Sequence, residues 1–212
     1  HAFSTIATGG FSTKNTSIMF YDSNAINIII MVFMTLASMH FGVIYASIAT
    51  RSFKPLRHPI TRYYLMVILV LSALATLSLT FQGGLRFPDA LMSGSFQVIS
   101  FISTTGFGQA DNSGWPLLAN TILIVLAIHC GCSGSTTGGI KVDRILIAFK
   151  AISHEIRHRL HPSEISRVRM SGQHLSDGSV KAVMMYIVTY FLLTFLSIII
   201  VMLCGETATE AV

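Results

Sequence analysis

The sequence predicts an all-α membrane protein assembled from repeated helix, pore loop and helix units, and three observations predict it. Charged residues make up 11% of the 212 residues and hydrophobic residues 52%, with a mean hydropathy of +0.66, where soluble domains carry about a quarter charged residues. Charge-free windows recur at 25–49, 63–85, 112–140 and 182–203, each reaching the roughly 20 residues that cross about 30 Å of hydrocarbon. A short motif of glycine and hydroxyl residues occurs twice, each time ahead of one of these windows.

The first copy of the motif reads Ser4-Thr5-Ile6-Ala7-Thr8-Gly9-Gly10-Phe11-Ser12 and the second Ser100-Phe101-Ile102-Ser103-Thr104-Thr105-Gly106-Phe107-Gly108. Superposed, they pair Thr8 with Thr104, Gly10 with Gly106 and Phe11 with Phe107. Glycine permits backbone conformations that side chains forbid, so a repeat of this kind is suited to baring carbonyl oxygens, as in a cation filter. Next comes window 25–49, read as one span, with His40 at mid-span. An ionisable group there is a functional candidate, and a neutral hydrogen-bonded helix contact explains it equally well. A basic connection follows at 51–62, then window 63–85.

Residues 90–108 are also free of charge but rich in Ser, Thr, Gly and Gln. A helix over 89–102 would reach only about 21 Å, so it must dip into the bilayer and return. Pro88 and Asp89 suit its start, because proline fits an early helical position and a carboxylate favours the positive end of the dipole. Its negative end would then face the loop at 104–108. In window 112–140 the apolar run 117–128 gives way to Gly131, Cys132, Ser133, Gly134, Ser135, Thr136, Thr137, Gly138 and Gly139. Interior glycine costs a helix about 1 kcal/mol, and non-helical backbone at membrane depth survives only against protein or a watery cavity. A loop inside the membrane beneath the filter is expected, free enough to open and close. The polar stretch 153–179 reads as a helix end, a loop broken at Pro162 and Gly172, and a cap at Ser176 that opens the last span.

Charge placement orients the chain. Arg51, Lys54, Arg57 and Arg62 lie between the first and second spans, and Lys141, Arg144, Lys150, Arg157, Arg159, Arg167, Arg169 and Lys181 between the third and fourth; only Lys14 and Arg86 of the 14 Lys and Arg fall elsewhere. By the positive-inside rule both basic connections are cytoplasmic and both filter-like loops open outwards. The net charge of +5 is thereby a topology signal, and nucleic acid is a poor partner for basic residues that flank spans.

The filter segments, the run from Gly131 to Arg144 and the order of span, pore loop and span resemble the Trk/Ktr/HKT superfamily of potassium transporters, and within it the bacterial Trk-type membrane subunits. The resemblance implies a four-repeat, cation channel-like fold. Residues 1–50 would be the end of the second repeat's pore loop and its second helix, 51–62 a cytoplasmic loop, and 63–160 the third repeat with its pore loop at 88–108. A cytoplasmic loop at 161–179 and the first helix of the fourth repeat at 180–212 would follow. The chain, which begins at His1 without an initiator Met, reads as a section of a longer transporter.

The resemblance further implies potassium uptake across the cytoplasmic membrane, with no enzymatic step and no organic cofactor. Potassium would be held by backbone oxygens of Ala7, Thr8, Gly9 and Gly10, and of Ser103, Thr104, Thr105 and Gly106, with Phe11 and Phe107 packed behind as props. Gating would fall to residues 131–139. Sodium or protons as accompanying ions, a homodimer, membrane lipid and a cytosolic nucleotide-binding regulatory subunit are the implied partners, the last docking on basic residues 141–169.

Other readings of the same residues are weaker. Gly134-x-x-x-Gly138 is also the small-residue spacing of packed membrane helices. Gly134 to Lys141 misplaces the lysine of a phosphate loop and has no preceding strand. Gly131-Cys132-Ser133-Gly134 fits the G-x-S-G of rhomboid-type intramembrane proteases, yet a serine nucleophile needs a base in reach and the last span carries no histidine. His129, Cys130 and Cys132 fall short of zinc-ligand spacing. With Cys204 the three cysteines imply no disulfide framework. His154, His158 and His161 accompany arginines on an exposed helix.

Overall fold

Residues 1–160, 169–170 and 173–203 are described by the computed structural model, in two units, His1–Asp143 and Arg144–Val212. The elements are α1 (Ala2–Ile6), a 3-10 turn (Ser17–Tyr21), α2 (Asn24–Ala37), α3 (Phe41–Ala49), a second 3-10 turn (Pro55–Arg57), α4 (Pro59–Phe81), α5 (Phe87–Ile102), α6 (Leu117–His129), α7 (Val142–Leu160), strands β1 (Arg169–Met170) and β2 (Gln173–His174), and α8 (Asp177–Leu203). The expected all-α architecture holds, with one antiparallel pair of two-residue strands added.

In the first unit, α4 is the longest element. Pro59 occupies its first turn, where the missing N–H costs nothing. Its buried residues Thr61, Tyr64, Ile68, Ser72, Ala75 and Leu79 recur every three or four positions, with Thr76 and Ser78 beside them, which makes one face. That face is small and hydroxyl-rich and lets α5 approach closely: a Cβ on Gly94 would lie 3.3 Å from the Thr76 backbone nitrogen. The α5 helix starts two residues earlier than expected, with Pro88 and Asp89 in its first turn and an Arg86–Asp89 ion pair at 2.8 Å. It ends at Ile102, as the motif predicts. Ile18, Ile30, Met34, Phe96 and Phe107 form one core beneath the second filter copy, and Leu79, Ala90 and Ala119 another.

Two of the four expected spans are not continuous helices. Window 25–49 is broken at 38–40, where α2 and α3 meet at 99°, so His40 stands at an elbow, exposed, rather than inside a span. The cause is local. Ser38 Oγ donates to the Met34 carbonyl at 2.7 Å and meets the Tyr64 hydroxyl, and hydroxyls that bond the preceding turn bend helices. Window 112–140 holds the 13-residue α6, about 20 Å long, and then a non-helical loop. Among the described residues, the two continuous helices long and apolar enough to cross a membrane are α4 and α8.

In the second unit, α7 carries an Arg159–Glu155 pair at 3.0 Å and stacked His154 and His158 rings. Ser176 Oγ accepts the Ser179 N–H at 3.2 Å, the cap expected for α8, and the Arg144 guanidinium sits 4.0 Å over the Tyr186 ring. No residue of α8 is buried within the chain. Pro162, Gly172, Cys204 and the side chain of His161 lie outside the described residues.

Candidate functional site: two repeated helix ends and a shared loop

The two copies of the repeat end their short helices in the same way. Thr8 N–H bonds the Thr5 carbonyl and Gly9 N–H the Ser4 carbonyl; Thr104 N–H bonds the Phe101 carbonyl and Thr105 N–H the Ser100 carbonyl. The bonds from Gly9 and Thr105 span five residues, the wrap of a Schellman-type terminus, in which the residue before the donor turns left-handed. Thr8 has φ +49° and Thr104 +53°, and two residues on Gly10 has +67° and Gly106 +77°. Threonine in that region costs about 1–2 kcal/mol, so the geometry is imposed twice, at the positions the sequence repeat pairs.

The two segments lie against each other. A Cβ on Gly10 would be driven into the Thr105 carbonyl oxygen, so only glycine fits there. Nearby, the Ile18 N–H donates to the Gly108 carbonyl at 3.0 Å and Gly108 N–H to Ser17 Oγ at 3.2 Å. Phe107 is buried and packs as expected, at 1% exposure, but Phe11 is 82% exposed. The prop role assigned to Phe11 is therefore corrected: its ring lies beside Gly9 and is largely exposed.

Residues 131–139 are non-helical, and Cys130, Gly134, Gly139 and Lys141 around them have positive φ. The loop touches both copies of the repeat. Thr8 Oγ1 donates to the Thr136 carbonyl at 3.1 Å, Thr136 Oγ1 to the Ile6 carbonyl at 3.1 Å, and Gly138 N–H to Thr104 Oγ1 at 3.0 Å. It is seated on the elbow between α2 and α3: Cys132 N–H donates to the Ser38 carbonyl at 2.9 Å, Thr136 N–H to the Ala37 carbonyl at 3.4 Å, and Phe41 N–H to the Gly134 carbonyl at 3.1 Å. The final carbonyls of a helix have no partner within it, and the break after α2 supplies those that hold the loop. Inside the loop, Ser135 Oγ bonds the Cys132 carbonyl at 2.6 Å and Thr137 Oγ1 at 2.7 Å. The Lys141 ammonium donates to the Ser135 carbonyl at 3.4 Å and also to the Thr137 carbonyl. Ser133 N–H donates to Asp143 Oδ2 at 2.9 Å.

Chemically, the arrangement offers main-chain and hydroxyl oxygens with a buried, neutral backing. Nothing here resembles a serine–base pair. Ser133 has no histidine partner: His129 engages the Tyr63 hydroxyl at 3.3 Å and the Cys130 carbonyl at 3.2 Å, and His40 Nδ1 takes the Gly42 N–H at 2.9 Å. Cys130 and Cys132 are buried. Residues 37–41 and Lys141 join the site without having been singled out for it. Their advance signals are the ionisable His40 within the Ser38-Met39-His40 interruption of an apolar run and a lysine at the end of the glycine-rich stretch.

Over residues 1–211 the sequence matches the TrkH family, described as cation transport protein. It is 34% identical over 209 residues to the Trk system potassium uptake protein TrkH of Escherichia coli K12, covering 97% of this chain and 43% of that protein. It is also 34% identical to the protein of the same name from Halomonas elongata, covering 100% and 44%. The crystal structure of the potassium transporter TrkH from Vibrio parahaemolyticus superposes with a TM-score of 0.92 at 30% identity, covering 100% of this chain and 46% of that one. The chain thus spans less than half the length of these relatives. They are transport proteins, in agreement with the expectation of a transporter in place of an enzyme, and they give the protease reading no support. A family match over nearly every residue, joined to a shared fold, establishes that the chain belongs to the TrkH family of cation transport proteins.

Proposed function

We propose that this chain supplies two of the filter segments and the gating loop of a potassium uptake pathway in the cytoplasmic membrane. The observation that carries the reading is the repeated helix terminus: two left-handed Thr and Gly pairs with matched geometry, set side by side, with residues 131–139 hydrogen-bonded to both. Backbone oxygens of Ala7, Thr8, Gly9 and Gly10 and of Ser103, Thr104, Thr105 and Gly106 replace water around a dehydrating potassium ion. The helix preceding each segment points its partially negative end at that ion. Residues 131–139 block the way beneath until they leave their seat.

The filter segments face outwards and the basic connections face the cytoplasm. The basic residues of α7 dock a cytosolic nucleotide-binding regulatory subunit, the full protein is a homodimer in lipid, and sodium or protons accompany potassium. Potassium and rubidium uptake by the full-length protein in cells lacking other potassium uptake systems, with sodium as competitor, tests the transport reading, and absence of rescue refutes it. Charge reversal at Arg157 and Arg159 tests the docking: weakened co-purification with the regulatory subunit is expected, and normal co-purification counts against it.

A further inference from the structure

The seat of the loop at 131–139 is a break in an apolar helix, and a titratable residue stands at the break. On the reading of that loop as a gate, we propose that His40 is a proton-sensitive positioning residue: neutral, it holds the elbow in the shape that seats the loop, and protonated, it loosens it. His40 is the N-cap of α3, its Nδ1 accepting the Gly42 N–H at 2.9 Å. A ring nitrogen accepts only when it carries no proton, and a positive charge at a helix start opposes the dipole. Protonation therefore turns both interactions unfavourable. The far edge of the ring stands over the loop, where a Cβ on Gly134 would lie 3.2 Å from Nε2. The next main-chain group, Phe41 N–H, donates to the Gly134 carbonyl at 3.1 Å. One exposed side chain thus holds the start of α3 and faces the loop that α3 helps to seat.

The titratable and charged groups on the elements packed here are Cys130, Cys132, Lys141 and Asp143 in and beside the loop, His129 at the end of α6, Arg62, Tyr63 and Tyr64 of α4 and Tyr45 of α3; α2 supplies none. Lys141 is held by the Ser135 and Thr137 carbonyls, Asp143 accepts from Ser133 N–H and Tyr64 meets Ser38. Among these residue types, histidine is the one that ordinarily changes charge between pH 5 and 8; His129 is engaged by the Tyr63 hydroxyl and the Cys130 carbonyl, and His40 is the histidine that caps α3.

The test is rubidium uptake by the full-length protein in proteoliposomes at about pH 8 and about pH 5.5, values that bracket histidine's range. His40→Asn keeps a capping acceptor that cannot titrate, and His40→Ala removes it. Uptake by the native protein is expected to rise about fivefold on acidification, the shift that loss of one helix cap produces. His40→Asn should stay low at both values and His40→Ala high at both. A pH response that survives in His40→Asn, or a native protein with none, overturns the proposal.

Hydrogen exchange at the Phe41, Cys132 and Thr136 amides, corrected for intrinsic rate, decides independently of transport. Protection lost at low pH in the native protein and kept in His40→Asn supports the cap, and equal protection in both overturns it. A native protein that carries no ion at either pH refutes the transport reading and leaves the exchange result to judge His40.

Discussion

Gly10 and Gly106 are paired by the repeat and share a left-handed backbone, yet alanine should affect them unequally. Each substitution pays the conformational cost of about 1–2 kcal/mol for a Cβ in that region. At Gly106 nothing lies within 4 Å of the added atom, so the cost stops there. At Gly10 the Cβ is driven into the Thr105 carbonyl oxygen, with the Thr105 carbonyl carbon at 3.3 Å, and backbone must move. Overpacking of this kind adds about 1–3 kcal/mol, making Gly10→Ala about 2–5 kcal/mol in total against total stabilities of about 5–15 kcal/mol. Thermal unfolding of the purified full-length protein reads the difference, and potassium-to-sodium uptake reads its functional counterpart. Gly10→Ala should lower both stability and selectivity. Gly106→Ser, which projects into open space, should lower selectivity while costing only the conformational penalty of about 1–2 kcal/mol. The reasoning fails if Gly106→Ala destabilises as much as Gly10→Ala, or if Gly106→Ser leaves the ion ratio unchanged.

Deleting residues 134–138 should raise rubidium flux, because Thr136 and Gly138 make the contacts with both filter copies; unaltered flux would contradict a blocking loop. Lys141→Met removes the donor held by the Ser135 and Thr137 carbonyls and should also raise flux, measurable in the same assay, whereas a closed and stable variant would show that the lysine holds nothing shut. Tyr64→Phe should cost only about 0.5–1.5 kcal/mol in denaturant unfolding, since Ser38 Oγ keeps its bonds to the Met34 and Thr35 carbonyls. A loss several times larger would mean that the elbow depends on that hydroxyl alone.

The repeat was legible because its chemistry is local. Helix termination by a left-handed residue is decided within six residues, so Ser4 to Gly10 and Ser100 to Gly106 could be paired by inspection, and the structure repeats the pairing in φ. The broken third span was legible for the same reason: glycine and hydroxyl residues are written along it. The elbow at 38–40 was not. Freedom from charge finds apolar length, but the bend depends on Ser38 meeting Tyr64 and on Cys132 and Thr136 taking the carbonyls of Ala37 and Ser38. Those partners are 26 to almost 100 residues away. Phe11 was misjudged by symmetry, since burial depends on neighbours that a repeat in sequence does not guarantee. Lys141 was read as a topological and docking charge and not as part of the loop's own bonding, and its turn back toward the loop needs its own positive φ of +75°.

At its two ends the segment 131–139, proposed as the gate, has no slack. A side chain at Gly131 would strike the Ser38 carbonyl oxygen and Thr137 at 2.8 Å, and one at Gly139 would collide with the Cys130 sulfur, while Gly138 has nothing within 4 Å. The margins are fixed by packing, whereas the crown is held by hydrogen bonds from Thr136 and Gly138 that can be released. The segment's contour of eight residue steps amounts to about 28 Å when stretched, so the crown can swing through at most about 14 Å from the line joining the margins. That excursion exceeds the width of a bare alkali ion several times over, and the way through could clear while α6 and the first turn of α7 stay where they are.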